Sequence, residues 1–405
     1  MSFQTSLSGL NAASNQLAVT SNNIANSSTT GFKESRSEFA DVYAVAYYGI
    51  GSTTPGNGVQ VADVSQQFSQ GNVDYTSNNL DMAINGEGFF VVSNNGELAY
   101  TRAGSFSVDK DGYVENNQGY NLQVYPPNAA GGFDTGSLTD LRLDRSGGAP
   151  QATANLELAA NLSATATPPT GAFNANDPST YNYSTSTTTY DSLGTAMSST
   201  FYFVKDPAVV NTWTGYMTVD GVAVGAGQTF TFNGDGSLAT PAGGSVNFGT
   251  FTPTNGANPM PLTVDFSNTT QYGGPSGVTR LTQDGFGIGQ LTGIDTDKTG
   301  VVVARYSNGR SVPLGKIAMA TFSNPQGLQK LGDTMWAETF TSGGSIRGEA
   351  GNSGLGLFQS GALEASNVDL TEQLVQMITA QRYFQANAQM ISTEDAITQT
   401  IINIR

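Results

Sequence analysis

The sequence predicts a mainly β protein with a long α-helix at each end and a second β-domain inserted into the first. Three observations carry this reading. Large apolar residues recur every seven positions near both termini, and short alternating runs broken by Gly, Asn and Asp fill the space between. From about residue 146 to 282 the composition shifts to Thr, Ser, Ala, Gly and Asn, with Lys205 the only lysine.

The C-terminal helix is the strongest element. Asn367 to Arg405 contains neither Gly nor Pro, in a chain with 49 Gly and 15 Pro. Leu370, Met377, Phe384 and Ile391 are spaced by seven, and Leu374 and Ala388 fall at the four-residue offset. Ser366 with Asp369, or Asp369 with Glu372, can cap its start. Burying Leu370, Leu374, Met377, Phe384, Ile391, Ile397, Ile401 and Ile404 is worth at most roughly 12 to 24 kcal/mol, so the stripe needs a partner. At the other end, residues 2 to 26 carry Phe3, Leu10, Leu17 and Ile24 at the same spacing, with Leu7 and Ala13 on that side. Ser14 and Ser21 thin the seam, which leaves two readings: a helix lying on a globular core, or terminal helices that pack on each other and on neighbouring copies.

Ser27 to Gly31 ends the first helix, with Gly31 as a C-terminal cap or turn residue before Phe32 and Lys33. Phe39, Val42 and Tyr43 are expected to continue as helix, 49–58 as loop, and Val59 to Phe68 as a strand. Residues 73–145 read as an all-β unit. Met82 to Val92 gives strand, Asn85-Gly86 turn, strand; Gly104 to Tyr113 turns at Asp111-Gly112; Gly119 to Tyr125 runs to Pro126. The run Asp109 to Gly112 lacks the spaced ligands and closing Glu of a calcium loop, so a hairpin turn is expected. In the middle segment Asp191, Asp206, Asp220, Asp235 and Asp265 sit mostly beside Gly or Pro, where Asp bonds its own backbone, and not as the facing pair of a glycosidase. Strands resume from Leu291, with Val301 to Tyr306, a turn at Asn308-Gly309, and Ile317 to Phe322. The Gly-rich stretch 343–361 serves tight turns, since no phosphate-binding motif is present.

Composition narrows the function. A net charge of −16 disfavours nucleic acid and anionic lipid, both of which need clustered Lys and Arg. With no Cys and no His, disulfides, thiolate nucleophiles, most zinc sites and His-based catalysis are removed, so no enzyme, metal or cofactor is expected. No apolar run reaches membrane-span length. The N-terminus has no Lys or Arg before Lys33 and no apolar core, so a secretory signal peptide is not expected.

Several runs together carry a family resemblance. They are Ser6 to Asn11; Asn22, Asn23 and Asn26 in one cluster; Thr30 to Lys33 with Gly31 and Phe32; Asp81 to Phe90 with Gly86, Gly88 and Phe89; and Tyr100 to Phe106 with Arg102 and Gly104. At the other end stand Glu364, Asn367 and Asp369, then Gln381 and Arg382. This set resembles the bacterial flagellar rod and hook proteins, in the right order and over about two thirds of the chain. The hook type, with its extra middle β-domain, is the closer match; a straight rod-type protein is the alternative, and a secreted carbohydrate-binding or carbohydrate-degrading β protein is the alternative of another class. Ser27-Ser28 departs from the bulkier or Asn-rich residues that relatives carry there.

The resemblance implies that the terminal helices pair as a coiled-coil inner domain lining a tube, with two β-rich domains outside. The implied division is 1–30 with 364–405 as helical domain, 31–72 with 340–363 as connectors, 73–145 with 283–339 as first β-domain, and 146–282 as inserted domain. It also implies a homo-oligomer of many copies, export through the flagellar type III apparatus, and contacts with a distal rod protein, a hook cap protein and a hook-filament junction protein. On this reading the seams 3–24 and 370–391 form the helix interface. Past Ile391 the stripe shifts to Met390, Ile397, Ile401 and Ile404, widening toward a surface for the next subunit.

Overall fold

The computed structural model describes residues 2–42, 56–128, 130–143, 148–352 and 354–403. It is mainly β, with one long helix at each end: α1, Ser2–Ala25, and α2, Leu370–Asn403. Asn23 Nδ2 donates to Gln373 Oε1, and a methyl group on Gly9 would strike the Asn387 side chain, so the two helices pair antiparallel. With 34 residues against 24, α2 carries its last turns, including Ile397 and Ile401, past the start of α1. Asp369 is the residue that caps α2: its Oδ1 accepts from Thr371 N at 2.8 Å and Glu372 N at 3.2 Å.

The segment after α1 corrects one expectation. Phe39 lies in strand β1, Ser35–Asp41, antiparallel to β2, Val59–Gln66; Val42 follows its end, and Tyr43 lies outside the described residues. Phe39 pairs with Val61 across a bulge, and that partner strand, remote in sequence, overrides the helical spacing. The β1–β2 pair packs on α1, where Val59 N donates to Ser8 Oγ and Ser37 Oγ donates to Asn15 Oδ1.

The chain forms two compact units, Met1–Leu143 with Gly293–Arg305 and Ser311–Arg405, and Asp144–Thr292 with Tyr306–Arg310. In the first, the central strand is Phe89–Asn94, bonded to Glu97–Thr101, Asn121–Tyr125 and Met319–Thr321. Its apolar run is buried on both faces: Phe90 and Val92 enter one cluster, Phe89 and Val91 the other, with Tyr100 and Trp336. Met82–Asn85, expected to turn back onto it at Asn85-Gly86, pairs with Leu357–Ser360. The Asp109–Gly112 turn does close a hairpin, Asp109 Oδ1 accepting from Asp111 N and Tyr113 N.

The second unit stacks a six-stranded sheet, from Tyr183–Tyr190 to Leu238–Thr240, on a four-stranded one made of Ser245–Phe251, Met260–Asp265, Asn155–Asn161 and Gly277–Gln283. Alternating residues of both sheets meet around Phe266, whose ring contacts Phe201, Phe203, Phe230 and Phe248 at 4.7 to 6.3 Å. Its acids cap turns as the sequence suggested: Asp191 Oδ1 takes the N–H groups of Leu193 and Thr195, Asp206 those of Ala208 and Val209, and Asp235 that of Ser237. The unit begins and ends side by side, Gly148 bridged to Gly289 and Gln151 to Phe286.

The two tryptophans fall one in each unit. With Trp336→Phe in the background, Trp213 fluorescence in urea reports the second unit alone. Phe266→Ala is expected to lower its stability by about 3 to 5 kcal/mol, and an unchanged unfolding midpoint would contradict its central place in that core.

Candidate functional site: the terminal helix pair and its buried anchor

The helix pair meets through two seven-residue rows. Leu10, Leu17 and Ile24 on α1, with Met377 and Ile391 on α2, are half-buried, as the apolar spacing suggested, whereas Phe384 is 38% exposed. The second row escaped hydropathy. Ser6, Ala13 and Thr20 are buried on α1, and Gln373 and Ala380 on α2, with Asn387 continuing their spacing against Gly9. Small side chains let the two backbones approach, which pushes the large ones to the flanks.

Other residues of the expected interface stand more open within one chain. Phe3, Leu7, Leu370 and Leu374 are exposed by 41 to 49%, and Ile397 and Ile401 by 51 and 64%. They lie at the edge of the pair or beyond α1 and not within it. Ile404 lies outside the described residues. Gln381 and Arg382 are also exposed.

Beneath the start of α2 lies a buried charge cluster. Glu364, at the end of strand Ala362–Glu364, is fully buried; its Oε1 accepts from Lys33 Nζ at 2.5 Å and Gly71 N at 3.0 Å, and its Oε2 from Arg102 Nη1 at 3.2 Å. Lys33 Nζ also donates to Ser69 O, and Arg102 Nη2 to Gly86 O, while Arg102 Nε has no hydrogen-bond partner. The Arg102 guanidinium stands 5.5 Å from the Phe89 ring. Burial pushes both cations below their ordinary pKa values, and the Glu364 carboxylate pulls both back.

The surrounding motif residues tie the same segments. Gly31 N donates to Glu364 O, and at φ +68° a side chain on Gly31 would strike Ala103 N at 2.4 Å. A methyl on Gly104 would lie 1.6 Å from Met82 O. Asn367 Oδ1 accepts from Glu34 N and its Nδ2 donates to Gln67 O and Ser69 Oγ. Buried Asn23 exchanges two bonds with the Ser35 backbone and gives a third to Gln373, whose Nε2 donates to Glu34 Oε1. Burial raises the Glu34 carboxyl against that bond. Asn26 holds the end of α1, donating to Asn22 O. Gly88 (φ +120°) lies against Met319, and Phe32 is buried. Gly71 and Gln373 were not singled out in the sequence, and Lys33 entered only as the end of the Thr30 to Lys33 run.

Glu364→Gln leaves two buried cations facing a neutral amide. With Trp213→Phe in the background and Trp336 as reporter, the first unit is expected to lose about 3 to 5 kcal/mol in urea unfolding; a loss under about 1 kcal/mol would show that the cluster is solvated or dispensable.

Comparison with known proteins accounts for this arrangement. Residues 3–33 match the flagella basal body rod protein family and 83–160 the flagellar hook protein FlgE/F/G D1 domain. Residues 161–286 match the flagellar basal body protein FlaE D2 domain, and 359–404 the flagellar basal body rod FlgEFG protein C-terminal family. The chain is 38% identical to the flagellar hook protein FlgE of Salmonella typhimurium and 37% identical to that of Escherichia coli K12, over the whole of each chain. The crystal structure of Helicobacter pylori flagellar hook protein FlgE2 shares the fold, with a TM-score of 0.52 and 14% identity over 72% of this chain and 100% of that one. With paired terminal helices, a D1 β-body and an inserted D2 sandwich, the chain belongs to the flagellar hook protein family.

Proposed function

We propose that this chain is the repeating subunit of the flagellar hook, a short, curved, hollow tube that carries motor torque from rod to filament as a flexible joint. The observation that carries the reading is the apolar side chains that α2 leaves open. One face of α2 is taken by α1, yet Leu374, Val375, Ile378, Met390, Ile397, Ile401 and Ile402 remain 49 to 66% exposed. Copies stacked around α2 would cover them. The tube is lined by the helix pairs, with the β-units outside.

A joint that bends must let rows of subunits shorten and lengthen, which requires outer contacts with several near-equal arrangements. A surface rich in Ser, Thr, Asn and Gly, with charged residues only 12% of the chain, suits sliding, hydrated contacts. The absence of cysteine suits export as an unfolded chain through the type III apparatus to the hook of the flagellum. There the subunits contact the distal rod protein at one end, and the cap and then the junction proteins at the other.

Removing 2–25 or 370–405 is expected to leave a soluble, β-folded monomer that forms no tubes; tubes from either truncated chain, seen by electron microscopy, would sink the polymer reading. Deleting 149–288, which joins the paired glycines Gly148 and Gly289, is expected to spare tube formation and to alter curvature or bending. Hooks of normal curvature and normal swimming from that deletion would contradict the role given to the insert.

A further inference from the structure

With no cysteine in the chain, its sulfur lies in nine methionines. Six of them, Met82, Met197, Met217, Met260, Met319 and Met335, belong to the two β-cores and are 0 to 7% exposed. Met377 is half-buried, and Met1 lies outside the described residues. Among the described residues Met390 is the methionine that stands open, at 55%. Oxidants reach a thioether in proportion to its exposure, so the chain offers them one preferred target.

The place of Met390 on α2 gives that exposure a consequence. Tyr383, Met390 and Ile397 are spaced by seven and Ile401 follows four later, all 51 to 64% exposed, so they form one row along the helix. The row flanks the contact with α1: Asn387, which packs against Gly9, stands three positions before Met390. An oxygen added to Met390 therefore displaces no core atom, and the chain keeps its fold.

We propose that Met390 is a site of reversible oxidation by peroxides, and that its sulfoxide holds the subunit out of the polymer. The second half rests on the polymer reading above, in which another copy covers this row. A lone pair of the sulfur attacks one oxygen of hydrogen peroxide and the O–O bond breaks. That oxygen stays on sulfur, the other leaves as water with both protons, and the two electrons lost by sulfur reduce the peroxide. The sulfoxide oxygen is a strong hydrogen-bond acceptor. Water satisfies it in the monomer and an apolar contact does not, so the modification penalises assembly and not folding.

Arg382 lies between Met377 and Met390, and no Lys or Arg follows before Arg405, so trypsin puts the two methionines in different peptides. Monomer treated with dilute hydrogen peroxide is expected to gain one oxygen on peptide 383–405 at least about tenfold faster than on any peptide holding a buried methionine. Equal rates, or a faster gain at Met377, would overturn the site. Chain oxidised at Met390 is expected to keep its urea midpoint and to polymerise with a critical concentration raised about tenfold, which falls back after methionine sulfoxide reductase treatment. An unchanged critical concentration would overturn the control of assembly. Met390→Leu, with no sulfur to oxidise there, is expected to have the same critical concentration with and without peroxide; a rise would assign the effect to another residue. If the untreated chain forms no tubes, the polymer reading fails, while the peptide map still decides where the oxygen goes.

Discussion

Everything at the base of the helix pair hangs on the carboxylate of Glu364. It is fully buried, and it gathers Lys33 from the segment after α1, Gly71 from the linker into the β-body, and Arg102 from the body itself. Taking these charges out of water costs about what their attraction returns, so the cluster adds little net stability over an apolar plug of the same shape. Its worth lies in selection. Only one arrangement of the three segments satisfies the carboxylate, and any slip leaves a buried charge unpaired. Three residues later Asn367 fixes the Glu34 and Gln67 backbones, and two residues after that Asp369 caps α2. Polar bonds at its start thus fix the direction of the final helix.

That order matters because the helix contact is weak as a hydrophobic joint. Its closest rows are Ser6, Ala13 and Thr20 on α1 and Gln373, Ala380 and Asn387 on α2. Small residues bury little area, so α1 and α2 together gain far less than their Leu, Ile and Phe content would allow. The remainder of that content faces outward. A chain built this way is positioned by polar anchors and left with its hydrophobic gain for contact with other copies, which keeps the lone monomer from satisfying itself.

What was legible in the sequence was local chemistry. The turns at Asp109, Asp191 and Asp235 were readable because an Asp side chain bonds N–H groups two to four residues away. Both helices were readable from their spacing, and Asp369 as one of two possible caps. What was hidden depends on distant partners. Phe39 reads as helix until Val61 supplies a neighbouring strand, and Asn85-Gly86 reads as a turn between pairing strands until Leu357–Ser360 takes Met82–Asn85 away. The small-residue row shares the seven-residue period of the apolar one but carries no hydropathy, so weighting by size pointed to Leu370 and Leu374 and passed over Gln373 and Ala380. Within the charge cluster, Glu364 and Arg102 were singled out by the family runs, yet nothing local to Lys33 marks it as their partner 331 residues from Glu364.

The inserted sandwich solves its packing problem in the opposite way. Eighteen buried residues, with Phe266 among four other rings, give it a core of its own, and its chain ends leave together through the Gly148–Gly289 bridge. A unit that folds on its own core can change its outer residues without disturbing the anchor at Glu364, because among the described residues the bonds of that cluster stay within the first unit. On the helices, by contrast, Leu370 and Leu374 are exposed by 47 and 49%, so they lie outside the monomer's own core. The two regions therefore differ in their physics: apolar side chains are packed inside the sandwich and left open along α2.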